Sequence, residues 1–282
     1  RRSYLDLMKI RICREEKKNV KLDMHTHGKL AKKLPFSPEY TDWLFREANE
    51  AGLDALCLTE HFNTLGFAEV YQYISENYEE ERDTFLTREG LRIFPGMEVD
   101  IAEGGHTLVI GNMHVILEMN RRLSPYKEKG KFLPFAKWAE IVKEYPVLFG
   151  AAHPYREGGH IPELTESELK QFDFLDLNGK DLAADYEGMS LRMKELSKVL
   201  QKPLTAGSDT HQAFQYGCVY NVFDQTVRTV EGLSSQIQAG HYRIETSDTL
   251  EFQVETAGTL KRSLKAIHAL GGDYLEVLLK GA

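Results

Sequence analysis

Short runs of apolar and β-branched residues alternate with longer amphipathic stretches along most of this chain. Seven runs carry strand patterning: VKLDMHTH from Val20, then ALCLTEH, RIFPGMEVDI, HTLVIG, VLFGAAHP, FDFLDLNG and PLTAGSDTH. The stretches between them carry helical spacing. SPEYTDWLFREANEAG opens on Ser37 as a cap, followed by Pro38 and Glu39, and stops at Gly52. FAEVYQYISENYEEER, FAKWAEIVKEY and ADYEGMSLRMKELSKVLQ read as helices in the same way. Strand and helix in alternation predict βα units on a mostly parallel sheet, and about seven strands favour a barrel over an open sheet. One domain is expected over residues 1–282, with a closing helix over about 255–282. The segment NRRLSPYKEKGKFLP (120–134) reads as a solvated connection, with a mobile flap as the alternative.

The polar positions within the strand runs carry the chemistry. On a regular strand alternate side chains share a face, so Asp23, His25 and His27 are expected together, with Leu22 and Met24 opposite. Taken alone, a His-x-His is most simply a surface strand with ordinary hydrogen bonds. However, similar residues recur at the C-terminal ends of other runs: Glu60 and His61, Glu98, His153, Asp209 and His211. His106 stands instead at the start of its run. In a parallel barrel the strand ends converge on one mouth, where the βα loops build the site. Imidazoles and carboxylates crowded there are unfavourable without shared cations. Histidine and carboxylate donors without thiolate suit zinc, manganese or iron.

Composition adds exclusions. The chain has 282 residues, 42% hydrophobic and 28% charged, which is ordinary for a globular protein. No apolar run approaches membrane length, so no membrane partner is expected. The start lacks an apolar signal segment and an initiator Met, so the true N-terminus is expected upstream. Cys13, Cys57 and Cys218 show no CxxC spacing and predict neither a disulfide framework nor a thiolate zinc site, in keeping with a reducing cytoplasm. The formal net charge of −8 predicts no general nucleic-acid binding.

The order HTH, TEH, GME, H-x-L-V-I-G, AHP and SDTH resembles the PHP superfamily, named for polymerase and histidinol phosphatase domains. The resemblance covers residues 20 to about 224 and rests mainly on HTH, AHP and SDTH. It implies a distorted (β/α)7 TIM-like barrel and a multinuclear metal centre that hydrolyses phosphoesters. Carried over by motif, His25, His27, Glu98 and Asp209 would hold one metal. Glu98 would bridge to a second, completed by His106 and His153, and His61 and His211 would belong to a third. Glu98, Asp209, His211 and Glu60 are the candidate catalytic residues, with Glu60 and Asp23 also placed to orient ligands.

One departure from the family pattern follows the first motif. Family members usually carry a further Asp or His there, whereas this chain reads GKLAKK. Either the third site is vacant or weak, or Lys32 or Lys33 supplies the positive charge. Two divalent transition metals (Zn, Mn or Fe) are expected, with a third open. For phosphate recognition the candidates are Arg156, as a bidentate fork, and Lys29, Lys32 and Lys180.

The expected activity is phosphatase action on a small phosphorylated metabolite, histidinol-phosphate-like or a nucleotide, by metal-activated hydroxide. The alternatives are an amidohydrolase-type C–N hydrolase and a non-catalytic PHP accessory domain. AHP with SDTH, and the lack of a strand-end lysine suited to carbamylation, disfavour the first; the intact ligand set disfavours the second. His114, His160, His241 and His268 match no motif, with His114 expected to be structural and His160 at a pocket rim.

Overall fold

The seven runs with strand patterning all become strands, and they close on one another. The computed structural model describes residues 19–280, so Cys13 and the chain start lie outside the described residues. The elements run β1 (Val20–Thr26), α1 (Pro38–Glu50), β2 (Ala55–Leu58), α2 (Phe67–Asn77), β3 (Glu79–Glu81), β4 (Thr84–Leu86), β5 (Arg92–Asp100) and β6 (His106–Ile110). They continue with α3 (Met113–Arg122), α4 (Phe135–Val142), β7 (Leu148–Ala152), α5 (Glu166–Leu169), β8 (Phe174–Asn178), α6 (Gly179–Ala184), α7 (Tyr186–Leu200) and β9 (Leu204–Gly207). The last elements are β10 (Val219–Phe223), α8 (Val230–Ala239), β11 (Tyr242–Thr246), α9 (Leu250–Ala269) and α10 (Tyr274–Leu279).

The hydrogen-bonded order β1-β2-β5-β6-β7-β8-β9 gives the barrel its seven staves. Its two ends meet just past β9. The Asp209 amide donates to the His25 carbonyl at 2.7 Å, and the His27 amide donates to the Thr210 carbonyl at 2.9 Å. Lower down, the Asn221 side-chain amide donates to the carbonyls of Leu22 (3.0 Å) and Ala206 (2.8 Å), bridging β1 and β9. β10 and β11 extend the sheet antiparallel beyond β1, and the β3–β4 hairpin adds to the edge of β5.

Two local features decide where the site residues point. First, β6 runs antiparallel to both β5 and β7, because the connection Ile101–Gly105 is too short for a parallel crossover. Gly104 and Gly105, with φ of 97° and 103°, supply the left-handed backbone of that turn. His106, at the start of β6, therefore lies opposite Asp100 at the end of β5. Second, β1 contains a bulge: Asp23 pairs with Leu56 but Thr26 with Leu58, one residue too many on β1. Before the bulge Leu22 and Met24 face the barrel interior; after it His25 and His27 do. The expectation that Asp23 shares a face with the histidines is thus corrected. Asp23 lies on the outer side, where its Oδ1 accepts from the amides of His25 (3.1 Å) and Ser208 (3.0 Å).

Met24, Cys57, Phe94, Leu108 and Phe174 belong to an apolar cluster that fills the barrel below the histidines, and α8 joins it through Val230, Leu233 and Ile237. A larger cluster packs the outer strand faces against the surrounding helices. Ser37 caps α1 by accepting from the Tyr40 amide, as its sequence predicts. The helix read through NYEEER stops at Asn77 instead. Glu79–Glu81 pair as β3, held by Arg92, which donates to Glu81 (2.6 Å) and Thr84 (2.6 Å). The closing helix is longer at its start than predicted, beginning at Leu250, and breaks into two at Ala269. No helix among the described residues is long and apolar enough to cross a membrane.

Candidate metal centre

All eight side chains singled out as ligands meet at the upper end of the barrel. Their donor atoms fall into three groups, each within 4.8 Å: His25, His27 and Asp209; Glu98, His106 and His153; and His27, His61 and His211. Two of these residues sit in left-handed backbone, His153 at φ 30° and Asp209 at φ 57°. Non-glycine residues pay for that conformation only where the surroundings enforce it, and such positions concentrate at functional sites. Gly207 permits the approach of β9 to β1, since a Cβ there would lie 2.4 Å from that of His25.

Glu98 occupies the centre of the cluster. Its Oε1 lies 2.7 Å from His106 Nδ1, 3.0 Å from His153 Nε2 and 3.6 Å from His25 Nε2. Its Oε2 lies 2.6 Å from His61 Nδ1 and 3.5 Å from His27 Nε2. Each oxygen thus faces a different set of imidazoles, the placement a bridging carboxylate requires. Burial alone would raise the Glu98 carboxyl, but His106, His61 and His25 outweigh it and hold it well below the ordinary range. Burial pushes the His61 imidazole down to about 4 and carries His211 well below its usual value, so both stay neutral and able to donate a lone pair.

The polar atoms left over fit divalent ions. His25 Nε2, both ring nitrogens of His27 and Nδ1 of His211 are buried without a hydrogen-bond partner. Buried polar atoms are normally paired, and unpaired imidazole nitrogens gathered beside carboxylates suit divalent ions. His27 belongs to two of the three groups.

Groups behind the ligands fix their orientation. Asp176 Oδ2 lies 2.9 Å from His25 Nδ1, which turns Nε2 toward the cluster, and also accepts from the His153 amide at 3.3 Å. Glu60 accepts from the amides of Gly28 (3.1 Å) and His61 (2.9 Å) and lies 3.6 Å from His27 Nδ1. Glu60 thus lies behind His27, with each of its carboxylate oxygens accepting from a backbone amide. Asp100 lies 2.9 Å from His106 Nε2 and 3.3 Å from Lys32 Nζ, and accepts from Asn63 at 3.3 Å. Sequence reasoning missed Asp176 and Asp100. Both lie two residues from another polar position on the same strand, Asn178 and Glu98, and that period of two was the available signal.

The candidate phosphate-binding cations divide. Lys32 and Lys180 stand at the mouth, the latter with Nζ 2.9 Å from Asp209 Oδ2. Lys29 does not: its ammonium is buried and donates to Thr64 Oγ1 (3.1 Å) and the Leu65 carbonyl. The Arg156 fork is occupied by the protein itself. Its Nε donates to Asp181 (2.6 Å), Nη1 to Asp209 (2.9 Å) and Nη2 to Asn178 (2.6 Å). In the 120–134 segment, Phe132 packs edge-on to Phe62 and the Lys127 carbonyl accepts from Asn63 at 3.3 Å, so this connection is anchored beside Asp100. His160 covers the Gly104 turn and pairs with Glu163 at 2.8 Å, while His114 sits near the start of α3, away from the cluster.

A seven-stranded barrel with this cluster at its mouth is similar to known proteins at several levels. A family model described as PHP-associated matches residues 191–242. No curated protein sequence matches the chain. Among solved structures, PsfC from Pseudomonas syringae superposes with a TM-score of 0.73 at 21% identity, over 88% of this chain and 100% of that one. A two-domain protein from Bacteroides vulgatus, containing a predicted PHP-like metal-dependent phosphoesterase, gives 0.52 at 15% identity, over 85% of this chain and 70% of that one. The lesion-specific endonuclease EndoQ from Pyrococcus furiosus gives 0.62 at 22% identity, over 80% of this chain and 57% of that one. Endonuclease Q in complex with a 27-mer duplex substrate, an abasic lesion at its active site, gives 0.62 at 21% identity, over 78% of this chain and 56% of that one. The chain has the PHP fold, as the order of its motifs implied.

The endonuclease structures overturn one expectation. The acidic net charge was read as setting nucleic acid aside, yet this fold carries a DNA-lesion endonuclease with duplex bound. Net charge averages the whole surface, whereas binding responds to the local field at one mouth. Here Lys32 and Lys180 stand at the mouth, each beside a carboxylate, Asp100 and Asp209 respectively.

Proposed function

We propose that the protein is a metal-dependent hydrolase of phosphoesters, with a centre for two divalent ions. The observation that carries this reading is the buried cluster of unpaired imidazole nitrogens around Glu98. One ion would be held by His25, His27 and Asp209, the other by His106 and His153, with Glu98 between them. His61 and His211 remain as neutral donors beside the first. Divalent ions bound there would make water acidic and neutralise charge on a phosphoryl oxygen. The chain's own residues do the rest. Asp176 and Glu60 hold His25 and His27 in orientation, and Arg156 holds Asp209. Lys180 and Lys32, paired with Asp209 and Asp100, are the cations at the entrance that an anionic substrate would meet. The buried free thiols Cys57 and Cys218 suit a reducing compartment such as the cytoplasm.

Within this class we infer a phosphomonoesterase acting on a small phosphorylated metabolite. A second reading, cleavage of a DNA strand at a lesion, is favoured by the endonuclease structures that share the fold. The test is turnover by metal-reconstituted protein of a panel of phosphorylated metabolites, beside a duplex carrying one abasic site. Release of inorganic phosphate from the panel, abolished by chelation and restored by Zn or Mn, supports the first reading. A nicked duplex with an inert panel supports the second. Phosphoester hydrolysis that persists in metal-free protein refutes both.

A further inference from the structure

The closing helix α9 carries a charge where its pattern calls for an apolar residue. Leu250, Val254, Ala257, Lys261 and Leu264 follow one another at spacings of three and four, the stripe by which a helix faces its protein. Leu250, Ala257 and Leu264 are buried on that stripe, and Gln253 beside it donates to the Tyr216 carbonyl at 3.0 Å. α9 thereby lies over α6 and the Ala213–Gln215 turn, which follow β8 and β9 at the mouth. Lys261 is half-buried between them and makes no hydrogen bond or ion pair with any described residue. A groove of about 550 Å³ opens there, with Lys261, Lys180, Arg262, His211 and Gln212 among its lining. It is continuous with the candidate metal centre through His211 and Lys180.

Lys180 is already paired with Asp209 at 2.9 Å, so the half-buried Lys261 ammonium beside it has no direct counter-ion of its own among the described residues, an unfavourable arrangement that an anion would complete. Burial lowers the Lys261 ammonium to about 7; Lys180 and Lys265 act in the same sense, while Asp209 and Glu60 of the metal centre oppose it. The acidic side chain lining the groove, Glu255, is exposed at the rim and is not paired with Lys261.

We propose that this groove is an anion subsite, in which Lys261, with Lys180 and Arg262, takes a second phosphate group of the substrate while the scissile phosphoester occupies the metal centre. The inference rests on the phosphoester-hydrolase reading and deepens it: the preferred substrate carries two phosphate groups. The second phosphate belongs either to a small bisphosphate or to the neighbouring link of a polynucleotide.

The experiment is calorimetric titration of the full chain with inorganic pyrophosphate, without added metal, for the parent and for Lys261→Ala, Lys261→Gln and Lys261→Arg. Lys261→Ala and Lys261→Gln are expected to weaken pyrophosphate binding about tenfold or more, with Lys261→Arg restoring most of it. Lys194→Ala, an exposed lysine on α7, serves as the control and is expected to bind as the parent does. Turnover by metal-loaded protein of a nucleoside bisphosphate and of a short oligonucleotide then separates the two sources, since the one whose KM rises in Lys261→Gln is the natural occupant. Pyrophosphate affinity within twofold of the parent in both neutral variants overturns the subsite, whatever the enzyme hydrolyses. Lys261-dependent binding in a protein that hydrolyses no phosphoester keeps the subsite and overturns the hydrolase reading.

Discussion

Replacing Arg156 separates two roles for one guanidinium. Its position three residues after His153 suggests a phosphate fork, whereas its observed bonds tie it to Asp209, Asp181 and Asn178. Arg156→Ala would leave Asp209 and Asp181, 4% and 8% exposed, without this counter-charge. Removing one partner of a fully buried pair costs roughly 3–5 kcal/mol. The Arg156 side chain is 28% exposed and Lys180 still lies 2.9 Å from Asp209, so screening reduces the expectation to about 2 kcal/mol. Urea denaturation of chelated protein should show this as a lower midpoint at unchanged slope. Arg156→Lys should recover only part of the loss, because a point charge cannot hold three acceptors at once. On metal-loaded protein, turnover should fall because Asp209 is no longer held. Inhibition by inorganic phosphate should change little. Parent-like stability combined with a tenfold loss of phosphate inhibition would refute this reasoning and return Arg156 to the role of a substrate fork.

Other outcomes follow from the same geometry. Glu98→Gln should lower both bound metal and turnover more than His211→Ala does, because Glu98 faces both proposed ions; metal analysis beside kinetics checks it, and full metal with normal turnover would remove the bridge. Asp176→Asn should weaken metal binding by about 10–100-fold, since the amide no longer fixes the His25 tautomer, and competition with a fluorescent chelator reads that directly. Burial raises the Cys57 and Cys218 thiols, so neither should be labelled by thiol reagents in native protein at pH 8, whereas both should be labelled in denaturant, as peptide mapping will report.

The elements and the ligand list were legible because both are local. Strand and helix periods differ, and all seven runs carried enough of the strand pattern for each stave of the barrel to be placed. Motifs such as HTH and SDTH put chemistry at strand ends, and in a barrel strand ends share a mouth whatever their order in the chain. What tertiary structure alone decided is direction and partnership. His106 looked misplaced until β6 proved antiparallel, which brings the start of that strand to the same end as the others. One extra residue in β1 turned Asp23 outward and joined Met24 to the histidines' side, because a bulge reverses every facing beyond it. Lys29 and Arg156 had suitable charge and position, but a long side chain takes whichever acceptor lies within reach. Those acceptors, the Leu65 carbonyl and Asp181, come from segments about 36 and 25 residues away. Lys261 shows the same limit in reverse. Sequence places it on a helix, and only the packing of α9 over the mouth places it beside His211. Local periodicity specifies which way a side chain points within its own element, and the packing of elements specifies what it meets.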